Sequence, residues 1–227
     1  IGDIDETSRQ CARLVDVIHK STIAALLTDM NEPLASAIGN AVEVQNAVDF
    51  LTGQSDDTRL SQVVLALAAE MVAACGAAPD LAAARTMTGE ALSSGKAADI
   101  FGQMVRALGG PSDFMEKPGS YLPQAPIVKP LYLKKAATLS ATDARAIGVA
   151  VVEMGGGRRT REDQIDHAVG LSGFAEVGTA LEKDQPLCVI HARSQEQFDA
   201  TAKSVLAACR FDAEVTPKDV VVIERID

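Results

Sequence analysis

The stretch from Ile23 to Leu51 limits what this 227-residue chain can fold into more than any other part of it. It opens with an apolar run, Ile23 to Leu27, that reads as a buried strand. Polar residues follow where the strand should end (Thr28, Asp29, Asn31 and Glu32), and Pro33 blocks any immediate helix. A helix is expected to resume near Asn40, a favourable N-cap type, with Val44, Ala47, Val48 and Leu51 on its inward face. Open α/β sheets place ligands at strand ends of this kind, where polar side chains lead into helix.

The flanking segments keep the same rhythm. Asp5, Glu6 and Thr7 start a helix whose stripe is Cys11, Leu14, Val15 and Ile18. After the turn formers from Thr52 to Asp57, Leu60, Val63, Val64, Leu67, Ala68, Met71 and Val72 make one helical stripe. Pro79-Asp80 opens a second helix, and Ile100, Phe101, Met104 and Leu108 mark a third, ended by Gly109-Gly110-Pro111. These helices are expected to pack on a sheet.

From Phe114 to Pro130 four prolines and Gly119 give an extended texture, read as a linker. Ile127-Val128 and Leu131 to Leu133 are short strand candidates interrupted by Pro130, which suits a sheet edge. Thr142-Asp143 caps a helix burying Ile147 and Val151. Strands are expected at Ala168 to Leu171, Leu187 to Ile190 and Val220 to Ile223. Before the last of these, a helix starting at Gln195 buries Phe198, Ala202, Val205, Leu206 and Cys209.

Composition removes several functions. A net charge of -10 with no dense basic run argues against binding nucleic acid, and no apolar run is long enough for a membrane span. Cys11, Cys75, Cys188 and Cys209 are far apart and show no CxxC spacing, so buried, reduced thiols and a cytoplasmic setting are expected. His19, His167 and His191 reproduce no metal-ligand spacing; His191 reads as a structural histidine after an apolar strand.

Asp29-Met30-Asn31-Glu32-Pro33-Leu34-Ala35 followed by Gly39-Asn40-Ala41-Val42-Glu43-Val44 resembles the corresponding segment of thymidine phosphorylases and other pyrimidine nucleoside phosphorylases. Gly109 to Phe114, Val152 to Arg159, Ile165-Asp166 with Val169-Gly170, and Pro186 to Ala192 extend the resemblance over most of the chain. It implies an α/β fold: residues 1–115 as part of a central glycosyltransferase-like domain of sheet with packed helices, residues 116–130 as linker, and residues 131–227 as a C-terminal α+β domain of hammerhead-like β architecture. The implied reaction is phosphorolysis of thymidine, in which phosphate attacks the anomeric carbon of a pyrimidine deoxynucleoside to give free base and 2-deoxyribose 1-phosphate. The family needs no organic cofactor, uses inorganic phosphate as co-substrate and forms homodimers.

The family's Lys-x-Ser-Thr-Gly-Gly and Thr-Gly-Gly-Thr motifs, and its base-holding Arg, Ser and Lys, do not occur in this sequence. The chain is therefore expected to be the C-terminal half of a longer polypeptide. It would supply scaffold and cleft wall, hold no catalytic or substrate-binding residue of its own, and be inactive alone. The resemblance further places a monovalent cation on the carbonyls of Leu34 and Ala37 and on the side chain of Asn46, where the family carries glutamate. It makes Gly155, Gly156, Gly157, Arg158 and Arg159 a loop that helps close the cleft. Two alternatives are a related phosphoribosyltransferase and a non-catalytic binding module that has lost its catalytic half.

Overall fold

The computed structural model describes residues 9–10, 24–55, 57–212 and 220–226. The stripe expected at Cys11, Leu14, Val15 and Ile18 lies outside them, as do Ile23 and His19. The elements run β1 (Ala25–Thr28), β2 (Ile38–Gly39), α1 (Ala41–Leu51), α2 (Thr58–Ala74), α3 (Leu81–Ser93) and α4 (Lys96–Ala107). They continue with β3 (Ile127–Tyr132), β4 (Ala137–Thr142), α5 (Ala144–Val151), β5 (Gly170–Ser172), β6 (Ala180–Leu181), β7 (Pro186–Ala192), α6 (Gln195–Ala207), β8 (Cys209–Asp212) and β9 (Val222–Ile226). The fold is mixed α/β with several small sheets, and every strand pair among the described residues is antiparallel. No helix among the described residues is long and apolar enough to cross a membrane.

The chain divides into two compact units that interleave in sequence. The first comprises Ile1–Asp29, Asp57–Asp99 and Lys218–Asp227. In it β1 pairs with β9, so the expected strand exists one to two residues further on and finds its partner at the far end of the sequence. Helices α2 and α3 start where Asp57 and Asp80 accept hydrogen bonds from the N–H groups of Leu60 and Ala83. They pack through alanines, with Ala69 and Ala84 fully buried, and small side chains let the two backbones approach closely. Arg225 of β9 makes a bidentate ion pair with Glu70 of α2, at 2.7 and 3.1 Å.

The second unit comprises Met30–Asp56 and Ile100–Pro217. Its main sheet has the order β2-β5-β7-β3, and a three-stranded sheet has the order β6-β4-β8. Leu139, Ile147, Val169, Leu171, Leu187, Ile190 and Val205 are fully buried between these sheets, α5 and α6. Strand β7 buries Leu187, Cys188, Ile190 and Ala192 on both faces, which is why its sequence shows no two-residue alternation. Asp143 and Ser194 cap α5 and α6 by accepting from the N–H groups of Ala146 and Gln197.

Several expectations change. The segment read as a linker contains one turn of 3-10 helix, Pro118–Ser120, and then β3, which runs unbroken through Pro130. Proline is tolerated there because β3 is an edge strand. Helix α1 buries Ala41, Val42, Val48 and Phe50, so only Val48 of the expected 44/47/48/51 stripe is buried, because β5 lies against the helix's first turn. Cys209 belongs to β8 and not to the preceding helix.

Cys188 and Cys209 are buried, as expected, but Cys75 follows the last turn of α2 and is exposed. Burial raises the Cys188 thiol to about 12 and Cys209 to about 11. A disulfide reagent at pH 8 should therefore label Cys75 within the mixing phase and leave Cys188 and Cys209 unlabelled until denaturant is added. Mass spectrometry of the labelled peptides reads this directly; modification of Cys188 in native protein would contradict the packing.

Candidate functional site

The diagnostic stretch beyond Asp29 is held within the second unit by hydrogen bonds that span most of the chain. The Asn31 carbonyl accepts from the Thr142 hydroxyl at 3.0 Å, and the Glu32 carboxylate from the Val177 N–H at 2.9 Å. The Ser36 carbonyl accepts from the Phe174 N–H, and the Ala41 N–H donates to the His167 carbonyl. Between these anchors Gly39 of β2 faces Gly170 of β5, both at positive φ. A Cβ on Gly170 would lie 2.6 Å from the Ile38 carbonyl oxygen, so only glycine permits the approach.

Asn40 stands at the N-cap of α1, yet its side chain makes no capping bond. Instead its amide donates 2.8 Å to the Gly156 carbonyl, and Glu43 caps the turn by accepting from the Gly39 N–H. Residues 40 and 156, both flagged by their motifs, thus meet.

The glycine loop is more ordered than a surface connection. Val152–Gly156 extends α5 by one π turn, with Gly155 at φ +89°. The Met154 carbonyl accepts from Gln197, and the Gly155 carbonyl from the Asp166 N–H. Arg158 and Arg159 are exposed, and the N–H groups of Arg159 and Thr160 both donate to Asp163.

Asp166, which anchors this turn, forms a bidentate pair with Arg193 at 2.6 Å. The hydrogen bonds from Arg193 hold the Asp166 carboxyl below its usual value. A depressed carboxylate stabilises the fold above its unfolded pKa, roughly 4, and that contribution is lost as pH falls through the lower folded value. Asp166→Asn should therefore flatten the acid limb of the stability curve below about pH 4. Because Arg193 is half exposed, the effect at pH 7 should stay below about 1 kcal/mol. Thermal unfolding followed between pH 2.5 and 7 measures both.

Of the expected cation ligands, Ala37 is buried, Asn46 is half-buried and Leu34 is 39% exposed. The Asn46 amide donates 3.3 Å to the Ser36 hydroxyl, which leaves its carbonyl oxygen unengaged. Among the described residues the carbonyls of Leu34 and Ala37 accept no hydrogen bond either. Three neutral oxygens suit a monovalent ion better than a divalent one. The described residues contain no cluster of three or more His, Cys, Asp or Glu side chains that could hold a metal.

Ala37 and Asn46 line a cavity of about 560 Å³ in the second unit; Leu34 does not. Its wall includes His191, whose Nε2 lies 2.8 Å from the Ser172 hydroxyl, with the imidazole pKa lowered by burial. His191 is thus a satisfied, neutral histidine. Gln45, Gln54 and Gln124 also line this cavity, and no local signal in the sequence marks them, since they come from three separate segments.

Residues 138–212 match the model of the pyrimidine nucleoside phosphorylase C-terminal domain, and residues 2–98 match the a/b domain of a glycosyl transferase family. The chain is 42% identical over 226 residues, 99% of its length, to thymidine phosphorylases of Rhizobium meliloti (strain 1021) and Sinorhizobium medicae (strain WSM419). Its similarity is thus to the pyrimidine nucleoside phosphorylase family. It spans about half the length of these curated relatives, 51% and 52%. Within the family's glycosyl transferase match, residues 30–56 fold as part of the second unit, together with the phosphorylase C-terminal domain.

Proposed function

We propose that this chain serves the phosphorolysis of thymidine, as scaffold and cleft wall, with the phosphate and base contacts supplied by residues outside the sequence. The observation that carries this reading is 42% identity, over nearly the whole chain, to two thymidine phosphorylases. In this reading phosphate attacks the anomeric carbon while the pyrimidine leaves as a stabilised anion, and closure brings the two together. The 152–159 turn, tied to Asn40 and Asp166, would give the closing wall a fixed shape. A monovalent cation on Leu34, Ala37 and Asn46 would brace the start of α1.

The match at residues 138–212 favours a nucleoside phosphorylase over a phosphoribosyltransferase. The purified 227-residue chain is expected to release no 2-deoxyribose 1-phosphate from thymidine and phosphate, as read by phosphorus NMR. Turnover by the chain alone would overturn the scaffold role.

A further inference from the structure

Strand β1 has the sequence of an interior strand but stands at an edge. The run from Ile23 to Leu27 is apolar without alternation, the pattern of a strand covered on both faces. Yet all four residues of β1 are only half-buried, and among the described residues it pairs with β9 alone. The Asp29 N–H donates to the Val221 carbonyl on the β9 side. Successive N–H groups of a strand point to opposite sides, so those of Leu26 and Thr28 are directed to the open edge.

Two other edge strands of the molecule are blunted. Strand β9 carries Glu224 and Arg225, and β3 carries Lys129 and Pro130, residues that discourage a further strand from pairing. Ala25-Leu26-Leu27-Thr28 holds no charge and no proline. Helix α2 of the same unit repeats the mismatch. Val64, Leu67 and Met71 follow one stripe and are 36%, 46% and 67% exposed, although a helix normally turns such a stripe inward. Its two charged residues lie elsewhere, with Arg59 buried against Asp29 and Glu70 paired with Arg225. This unit falls largely within the residues that match a glycosyl transferase a/b domain, and two described strands are a narrow sheet for such a domain. The curated relatives carry about as much chain again.

We propose that the open edge of β1 and the α2 stripe are the docking surface for the half of a thymidine phosphorylase that this sequence does not match. That half adds a strand beside β1 and lays apolar side chains over Val64, Leu67 and Met71. Main-chain hydrogen bonds at Leu26 and Thr28 set the register, and the stripe supplies apolar burial. The identity of the partner rests on the scaffold reading; the surface itself stands on the unpaired edge and the uncovered stripe.

The test co-expresses the tagged 227-residue chain with the part of the Rhizobium meliloti thymidine phosphorylase that it does not match, and purifies by the tag. A one-to-one complex is the expected result. In it the Leu26 and Thr28 amides should exchange, and Met71 should be oxidised by peroxide, at least about ten-fold more slowly than in the chain alone. Leu67→Glu, at an exposed position, puts a charge into the stripe and should lower recovery of the partner about ten-fold or more. Thr28→Pro removes an N–H from the open edge while leaving the β9 side paired, and should act in the same direction. Circular dichroism checks that both variants fold. Any one of four results overturns the proposal: recovery of the tagged chain without the partner, a complex in which the two amides and Met71 react as in the free chain, undiminished recovery with both folded variants, or a dimer of the chain alone that protects the same two amides. Every readout is association. An assembled complex that leaves thymidine intact therefore contradicts the phosphorolysis reading alone, and failed assembly contradicts the docking surface alone.

Discussion

Asp29→Ala should destabilise the first unit by about 3 kcal/mol, the low end of the cost of breaking a buried ion pair. Asp29 is 7% exposed and Arg59 5%. The guanidinium donates 2.9 Å to the Asp29 carbonyl and 3.4 Å to its carboxylate. Removing the carboxylate takes one anionic acceptor from a buried guanidinium, while the contact to the Asp29 carbonyl survives and moderates the loss. Urea denaturation, with hydrogen exchange of the α2 amides as a local probe, measures the effect. The double variant Asp29→Ala/Arg59→Met should recover most of it, because an apolar side chain of similar length needs no counter-ion. A loss below about 1 kcal/mol in the single variant would mean that the pair behaves as a solvated surface contact.

Gly170→Ala should cost about 2–4 kcal/mol, through backbone strain and overpacking together. Its φ of +156° disfavours any side chain, and the added Cβ would meet backbone at 2.6 Å and Val42 Cγ2 at 2.9 Å. The damage should be local first: the β2–β5 pairing opens, and exchange accelerates at Ala41 and Phe174, whose amides bond across it. Gly148→Ala is the control, since it lies in α5 with nothing within 4 Å of the added Cβ. There a gain of about 0.5–1 kcal/mol is expected from better helix propensity. Equal losses in both variants would contradict the close approach of Gly39 and Gly170.

Local chemistry was the part of this fold that the sequence made legible. Asp143 ahead of α5 and the residues around Gln195 announce their helices, because a short polar side chain at an N-cap acts within three residues. Pro130 signalled an edge strand because a missing N–H matters wherever a ladder is formed on that side. What stayed hidden depends on partners remote in sequence. The pairing of β1 with β9 joins residues about 200 positions apart, and nothing in Ala25 to Thr28 names its partner. Strand β4 is Ala-Thr-Leu-Ser-Ala-Thr, too small and polar to show a pattern, though Leu139 is wholly buried. The inward face of α1 was misjudged for the same reason, since it is chosen by the Gly39–Gly170 crossing.

The site divides along the same line. The motifs that carry the family resemblance also carry the anchors seen in the structure, such as Asn40 to Gly156 and Glu32 to Val177. The three glutamines of the cavity come together only in the fold. Asn40 shows how a correct local reading and a different physical role coexist: it occupies the cap position but donates its amide elsewhere.

The central claim is that this chain is competent phosphorylase scaffold lacking its own chemistry. Its most direct test fuses the 227 residues to the part of the Rhizobium meliloti thymidine phosphorylase that they do not match, and assays thymidine with phosphate. The account predicts stoichiometric thymine and 2-deoxyribose 1-phosphate from the fusion, and none from either part alone. A folded fusion that leaves thymidine intact would contradict it.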